Sequence, residues 1–558
     1  MIALALLAAA ASTPPDAAIV AHFDAEIPRL MTRWSVPGAV AAVVRNGQPI
    51  LIRGYGLADV ERREPVAASA TRFRIASVSK VFTAIVALQL AAEGKLPVDA
   101  DVRRWVADLP IAGGPVSERD LLTHTAGFED HLLGYLNPRG QPPPALGELL
   151  SRDMPPRTRP PGVPGYSNHG YALAALVAER AAGKPFEQLV HDRILAPLRM
   201  ASTGFALLPD EVPGLATEYR SSGAVTPRRS SRPYPAGNLA TTGEDMARFL
   251  VALGDSSSVL APAVAAGLAG NVLRYHPALP PMGYGLAGVP VGGTVVWMKG
   301  GASPSHSAVL ALVPALGLSL FLAENRQEPS LWNELIEGFV GKFVPAPPAG
   351  PAPPPDAVDG DYLWTRAPLR GVERVLGLAA QIRVARDPAG LTVRGMDAIA
   401  GRYRAAGGGL FRRDDGRPLA AGGERVFSIV DGQPVAFERI PFWRTSRAQL
   451  AAFALATAGL LAGGIAAAVR RGNFLALAAA ALELCMLAAA AAVARHLDRL
   501  AEGPTAALEA GLLLATLASA VCVVSAIAAV RRRTLAWTLY AVAALLLPAV
   551  LLANGLYL

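Results

Sequence analysis

"RIASVSKVFTA", residues 74–84, is the stretch on which the reading of this chain turns. Ser77 stands three positions before Lys80, and the apolar residues Val81, Phe82, Ile85, Val86 and Leu88 follow. That run predicts a buried helix from Ser77 to about Glu93, with Gly94 as its C-cap. Residues i and i+3 share a helix face, so Ser77 and Lys80 meet while Ser79 points elsewhere. Burial disfavours the charged ammonium, which sets a neutral amine beside the hydroxyl. A serine with a base beside it is the minimum for nucleophilic catalysis. Taken alone, the spacing also fits a buried helix that happens to carry polar residues.

Two further stretches narrow the choice. In "PPGVPGYSNHGYALAALVAE", residues 160–179, Tyr166 and Asn168 lie two apart, after a Pro/Gly loop and before a helix. The phenol can relay a proton and the amide can bind a substrate carbonyl. The plainer alternative is a loop whose helix is capped at Ser167 or Asn168. In "VVWMKGGASPSHS", residues 295–307, Lys299, Gly300 and Gly301 end a strand. Small residues there let a substrate lie against the strand edge, where backbone N–H groups can face an oxyanion. A simple hairpin turn is the alternative. No G-x-S-x-G stretch is present, which disfavours a conventional Ser-His-Asp enzyme.

S-x-x-K, Y-x-N and K-x-G in this order resemble the penicillin-recognising serine hydrolases, most closely the class C β-lactamase branch with its esterase and peptidase relatives. "LLTHTAGF" (121–128), "PAGNLATTGEDMARFL" (235–250) and "GYGL" (283–286) add to the likeness, which covers about residues 15–340. The resemblance implies a β-lactamase/transpeptidase-like α+β domain, an antiparallel sheet flanked by helices with a helical subdomain. It implies Ser77 as the acyl-forming nucleophile, Lys80 and Tyr166 as general base and acid, and Asn168 as a substrate-orienting group. Lys299 would bind a substrate carboxylate or support Tyr166, with Gly300 and Gly301 beside the substrate. The oxyanion hole would be the backbone N–H groups of Ser77 and Ala302. His124 is expected to be structural. One departure stands out. β-Lactamases of this branch usually carry K-T-G in the third motif, and here Gly300 replaces the threonine. That puts β-lactam hydrolysis in doubt but leaves ester or amide hydrolysis open. A non-turnover sensor of β-lactams or wall fragments, using the same serine, is the competing reading.

The rest of the chain sets the context. The 558 residues exceed one ordinary domain. Apolar residues make up 52% and charged ones 17%, a balance that points to segments in lipid. The net charge of +8 comes from arginines scattered around apolar segments, which fits membrane topology better than nucleic acid. The two cysteines, Cys485 and Cys522, and the dispersed histidines argue against a disulfide framework and a metal site, and no cofactor is implied. "GAVAAVVRNGQPILIRGYG" predicts a hairpin turning at Asn46-Gly47. "GTVVWMKGGASPSHSAVLALVPALGLSLFLAEN", residues 293–325, reads as three strands joined by turns. Strands at both ends of a helical middle predict an α+β domain.

The expected order is a signal peptide at 1–12, the hydrolase domain at 13–343, a Pro-rich linker at 344–358 and a small β domain at 359–445. Four apolar segments, 449–469, 474–494, 507–530 and 535–557, are each long enough to cross a bilayer. Arg470 and Arg471, and then Arg531 to Arg533, place the intervening turns in the cytoplasm and the hydrolase domain outside it. Glu483 stands in the second segment, where a carboxyl is costly. The expected partners are therefore a small-molecule, peptide or cell-wall-derived substrate and the lipid bilayer. The β domain is open between closing over the site and binding wall polymer.

Overall fold

A computed structural model describes residues 14–254, 260–345, 358–370, 372–388, 390–407 and 409–469. The expected signal segment, most of the linker, the expected crossings at 474–494, 507–530 and 535–557, and Glu483 lie outside the described residues.

The strand Gly38–Arg45 runs through the middle of the first domain. It returns as Gln48–Asp59 through Asn46 and Gly47, both at positive φ (47° and 77°), the conformation an Asn-Gly turn adopts readily. A seven-stranded antiparallel sheet forms around this hairpin. Its order is 64–65, 48–59, 38–45, 318–324, 306–313, 294–303 and 287–291. Successive strand residues face opposite sides, and here both sides are covered. Ala39, Ala41 and Val43 pack with the helices Asp16–Trp34 and Pro329–Phe343. Val40, Ala42 and Val44 pack with the helices Ser79–Ala92, Asn168–Ala182 and Gly243–Gly254. Burial on two faces is why "GAVAAVV" is a continuous apolar run and not an alternating one.

The helix Ser79–Ala92 is buried along almost its whole length, between the sheet and Asn168–Ala182. It ends at Ala92 with Glu93, not the expected Gly94, as its C-cap, and Gly94 follows at a φ of 72° that few other residues take up cheaply. The expectation of a helix starting at Ser77 is corrected here: Ala76–Val78 is a 3-10 turn, and the α-helix begins at Ser79.

Eight antiparallel strands between Gly360 and Ile440 close into a barrel. Tyr362, Ile382, Leu391, Tyr403, Phe411 and Phe437 fill its interior. Closure pairs Gly360–Trp364 with Gln433–Ile440 and leaves no sheet edge. The barrel docks on the first domain through its strand ends. Arg412 donates to the Pro290 carbonyl at 3.2 Å, and Phe427 packs by Tyr275 and Leu279. The helix Ser446–Val469 follows and contains the expected first crossing. No helix among the described residues is long and apolar enough to cross a membrane. The described residues thus do not carry the expected four-helix spanning region.

Candidate active site

Ser77 sits on the 3-10 turn that feeds the buried helix. The residue before it, Ala76, has a φ of 42°, a left-handed conformation that costs a non-glycine residue of order 1–3 kcal/mol. Its surroundings hold it there. Ser79, fully buried, donates to the Ala76 carbonyl at 2.7 Å and accepts from the Leu239 N–H at 3.1 Å. Ser79 therefore braces the turn and does not face the pocket.

Tyr166 and Lys80 flank the Ser77 hydroxyl. Tyr166 Oη lies 2.7 Å from Ser77 Oγ, and Lys80 Nζ lies 3.1 Å from it. Lys80 is fully buried, and burial, with the Lys299 charge and then that of Arg366, holds its pKa well below the ordinary lysine value. Its amine has two other neighbours, Asn168 Oδ1 and the Ala236 carbonyl, each at 2.8 Å. Both are acceptors and take two N–H bonds. In the neutral amine this turns the lone pair toward Ser77. Burial raises the Tyr166 pKa, with the Arg366 charge and the Ser77 contact opposing it, so the phenol keeps its proton.

Asn168 opens the helix that Ser167 caps, with Ser167 Oγ accepting from the Gly170 N–H at 3.1 Å. Both alternatives read from the sequence are therefore present at once: a cap at Ser167 and an amide turned into the site.

Lys299 lies behind the tyrosines and does not line the pocket. Its Nζ is 5.3 Å from the Tyr166 ring centre and 6.0 Å from that of Tyr171. Burial and then the Arg366 charge lower its pKa to about 7. Of the two roles the resemblance offers, this position fits support of Tyr166 and not capture of a carboxylate. Gly301 passes so close to the serine turn that a Cβ there would lie 2.5 Å from the Ile75 carbonyl oxygen and 2.6 Å from the Ser77 nitrogen. Ala302 follows on the pocket wall.

Gly300 answers the question of the absent threonine. A Cβ on Gly300 would meet the Asp431 carbonyl oxygen at 2.5 Å and the Trp332 ring at 2.9 Å. Asp431 lies in the barrel turn between Arg425–Val430 and Gln433–Ile440. Its carbonyl accepts from the Gly300 N–H at 3.2 Å, and Gln433 Nε2 donates to the Gly300 carbonyl at 3.4 Å. The docked barrel occupies the space a threonine would need.

Several residues of the site are not singled out by the motifs. Asp130 accepts from the Asn168 backbone N–H at 2.9 Å and from its amide nitrogen at 3.3 and 3.2 Å. It closely follows "LLTHTAGF", a signal that could have marked it. Arg366, from the barrel, pairs with Asp130 at 2.7 Å. His124 packs on Tyr166 with ring centres 4.2 Å apart and accepts from the Ser167 N–H at 3.3 Å, a structural placement. Ser305 and His306 contact Glu218 at 2.6 and 3.2 Å. Ser77, Tyr166, Ser305 and His306 line a cavity of about 380 Å³ together with Trp364 and Arg366 from the barrel. Among the described residues, no group of three or more His, Cys, Asp or Glu is placed to hold a metal ion.

A sheet packed between helical layers, seating a serine between a buried lysine and a buried tyrosine, has the arrangement of a β-lactamase/transpeptidase-like fold. The family model described as Beta-lactamase matches residues 23–335, more than half of the chain, which belongs to that family. The chain is 30% identical over 222 residues to PbpX of Bacillus subtilis (strain 168), covering 38% of this chain and 54% of the relative. It is 34% identical over 210 residues to the esterase EstB of Burkholderia gladioli, covering 34% of this chain and 52% of that relative. The chain thus spans about half the length of the curated relatives it matches. The structure of the octameric penicillin-binding protein homologue from Pyrococcus abyssi superposes with a TM-score of 0.51 at 20% identity. That match covers 75% of this chain and 99% of the other, and so runs beyond the residues of the family match.

Proposed function

We propose that this protein is a serine hydrolase of the class C-like branch that cleaves an ester or amide through an acyl-enzyme on Ser77. The observation that carries this is the Ser77 hydroxyl held between Lys80 and Tyr166, at 3.1 and 2.7 Å, with the lysine fully buried. Ser77 Oγ attacks the substrate carbonyl carbon and passes its proton to the neutral Lys80 amine. The oxygen that becomes negative is taken up by the backbone N–H groups of Ser77 and Ala302. As the tetrahedral centre collapses, Tyr166 gives its proton to the leaving group and is reprotonated by the Lys80 ammonium. A water then attacks the acyl-enzyme by the same relay in reverse, releasing acid and restoring the hydroxyl.

The substrate is a small molecule, a peptide or a cell-wall-derived ester or amide. Lys299 lies behind Tyr166 and the barrel turn fills the threonine position, so the reading does not depend on a substrate carboxylate. Purified full-length protein is expected to hydrolyse a p-nitrophenyl ester, and Ser77→Ala to abolish this. Unchanged turnover in that variant sinks the reading. Stoichiometric acylation of the wild type without turnover would favour the sensor instead.

The proposal extends to a membrane anchor, with the hydrolase domain outside the cytoplasm. It rests on the apolar C-terminal segments and their arginine-bearing turns. Phe442 and Trp443, at 66% and 63% exposure just before the helix Ser446–Val469, fit aromatic anchors at a lipid–water boundary. A reporter fused after Leu558 that behaves as cytoplasmic contradicts this topology.

A further inference from the structure

We propose that Arg366 of the barrel is a positioning residue of the active site, holding Asp130 and Tyr166 so that Lys80 remains set to take the Ser77 proton. The inference rests on the reading of Ser77 as the nucleophile.

The guanidinium makes two kinds of contact. Its Nε donates to Asp130 Oδ2 at 2.9 Å, and a terminal nitrogen lies 2.7 Å from the same oxygen. Its central carbon stands 4.7 Å from the centre of the Tyr166 ring, a cation–π arrangement. Asp130 in turn holds the Asn168 amide nitrogen, which fixes the rotation of that amide. With nitrogen on Asp130, the oxygen must face Lys80, where it accepts at 2.8 Å. An unbroken run of polar contacts therefore links the second domain to the nucleophile, through Arg366, Asp130, Asn168 and Lys80 to Ser77. Asp130 is almost wholly buried, and removing its partner would strand a charge.

The segment carrying Arg366 is pinned on both flanks. Arg159 donates to the carbonyls of Thr365 and Ala367, both at 3.1 Å, and Glu129 accepts from the Leu369 N–H at 3.0 Å. The same loops that shape the hydrolase site, 129–130 and 159–166, thus hold the barrel strand end against it. Besides Ser77, the polar and charged groups that face Lys80 and Tyr166 are Lys299 from the sheet, His124, Asp130 and Tyr135 from the loops, Tyr171 and Asn168 from the helix, and Arg366 from the barrel. Lys299 and Arg366 lower the Lys80 pKa and Asp130 raises it, so the barrel's one cation here acts in the direction that keeps the amine neutral.

The test is the pH dependence of kcat/KM for a neutral p-nitrophenyl ester, with the full-length chain carrying Arg366→Gln, Arg366→Lys or Asp130→Asn. Arg366→Gln removes the cation, so the acidic limb should move to higher pH by about one unit. Arg366→Lys keeps the charge and should hold the limb near its wild-type position. Asp130→Asn should move it the opposite way, to lower pH. The rate of Ser77 labelling by a fluorophosphonate, followed against pH, reads the same limb without turnover. Thermal melting shows whether each variant is folded, and an unfolded Arg366→Gln leaves the comparison of Arg366→Lys with Asp130→Asn to decide. A limb that stays put while activity falls reduces Arg366 to a docking contact and overturns the inference alone. A wild-type protein inert to both ester and fluorophosphonate overturns the reading of Ser77, and the inference with it.

Discussion

Replacing Gly301 by alanine is a single-methyl probe of the fit between the third-motif strand and the serine turn. The added Cβ would stand 2.5 Å from the Ile75 carbonyl oxygen, 2.6 Å from the Ser77 nitrogen and 3.0 Å from the Val78 nitrogen. Ordinary contact begins at 3.4 Å, so the strand and the turn must part by roughly 0.9 Å. All three atoms are backbone, so no side chain can rotate away. Overpacking of this kind costs about 1–3 kcal/mol of stability. The loss of activity should be larger in proportion, because the movement falls on Ser77 itself and a misplacement of about 1 Å can cost about 100-fold in rate. Gly301→Ala is therefore expected to remain folded, with a lowered melting temperature and kcat/KM for a p-nitrophenyl ester reduced about 100-fold. Stopped assays with active-site titration separate fewer active molecules from slower ones. A variant within about threefold of wild type, at unchanged melting temperature, refutes the claim that strand and turn are fitted at that distance.

Three other outcomes follow from the same geometry. Gly338→Ala, in the helix Pro329–Phe343 with no atom within 4 Å of the new Cβ, should raise stability by about 0.5–1 kcal/mol and leave hydrolysis unchanged; a destabilised variant in urea titration would count against the helix placement. Tyr166→Phe keeps the ring and removes the proton relay, so kcat should fall about 10²- to 10⁴-fold, and full retention of kcat would take Tyr166 out of the chemistry. Lys299 has a folded pKa of about 7 against an ordinary 10.5, so the unfolded chain binds more protons between those values and stability rises with pH across that window. Lys299→Met should raise the melting temperature at pH 7 and flatten the rise toward pH 10 in calorimetry, and an unaltered slope would show that the amine is charged when folded.

Local signals in the sequence carry much of the first domain. The Asn46-Gly47 turn, the strands from 294 to 324 and the apolar helix after Lys80 each announce themselves within a dozen residues, because their structure follows from turn chemistry and hydrophobic pattern. Ser77, Lys80, Tyr166 and Asn168 were legible as motifs, and the structure brings them together. The start of the serine helix was not. Ala76 takes up a left-handed φ that only its tertiary surroundings enforce, so the first turn tightens to 3-10. The barrel contributions were out of reach for a different reason. Arg366 is separated from Asp130 by 236 positions, and Asp431 from Gly300, which it touches, by 131. Nothing in local patterning specifies how two domains dock. The glycine at 300 was visible as a departure from the family pattern, but its cause, a carbonyl from another domain in the threonine's place, appears only in three dimensions.

Activity-based labelling tests the central claim most directly. Full-length protein treated with a fluorescent fluorophosphonate, and in parallel with a fluorescent penicillin, is digested and the modified residue mapped by mass spectrometry. The account predicts fluorophosphonate on Ser77, its loss in Ser77→Ala, and weak or no stable modification by the penicillin. A label on any other residue, or one that persists in Ser77→Ala, contradicts it.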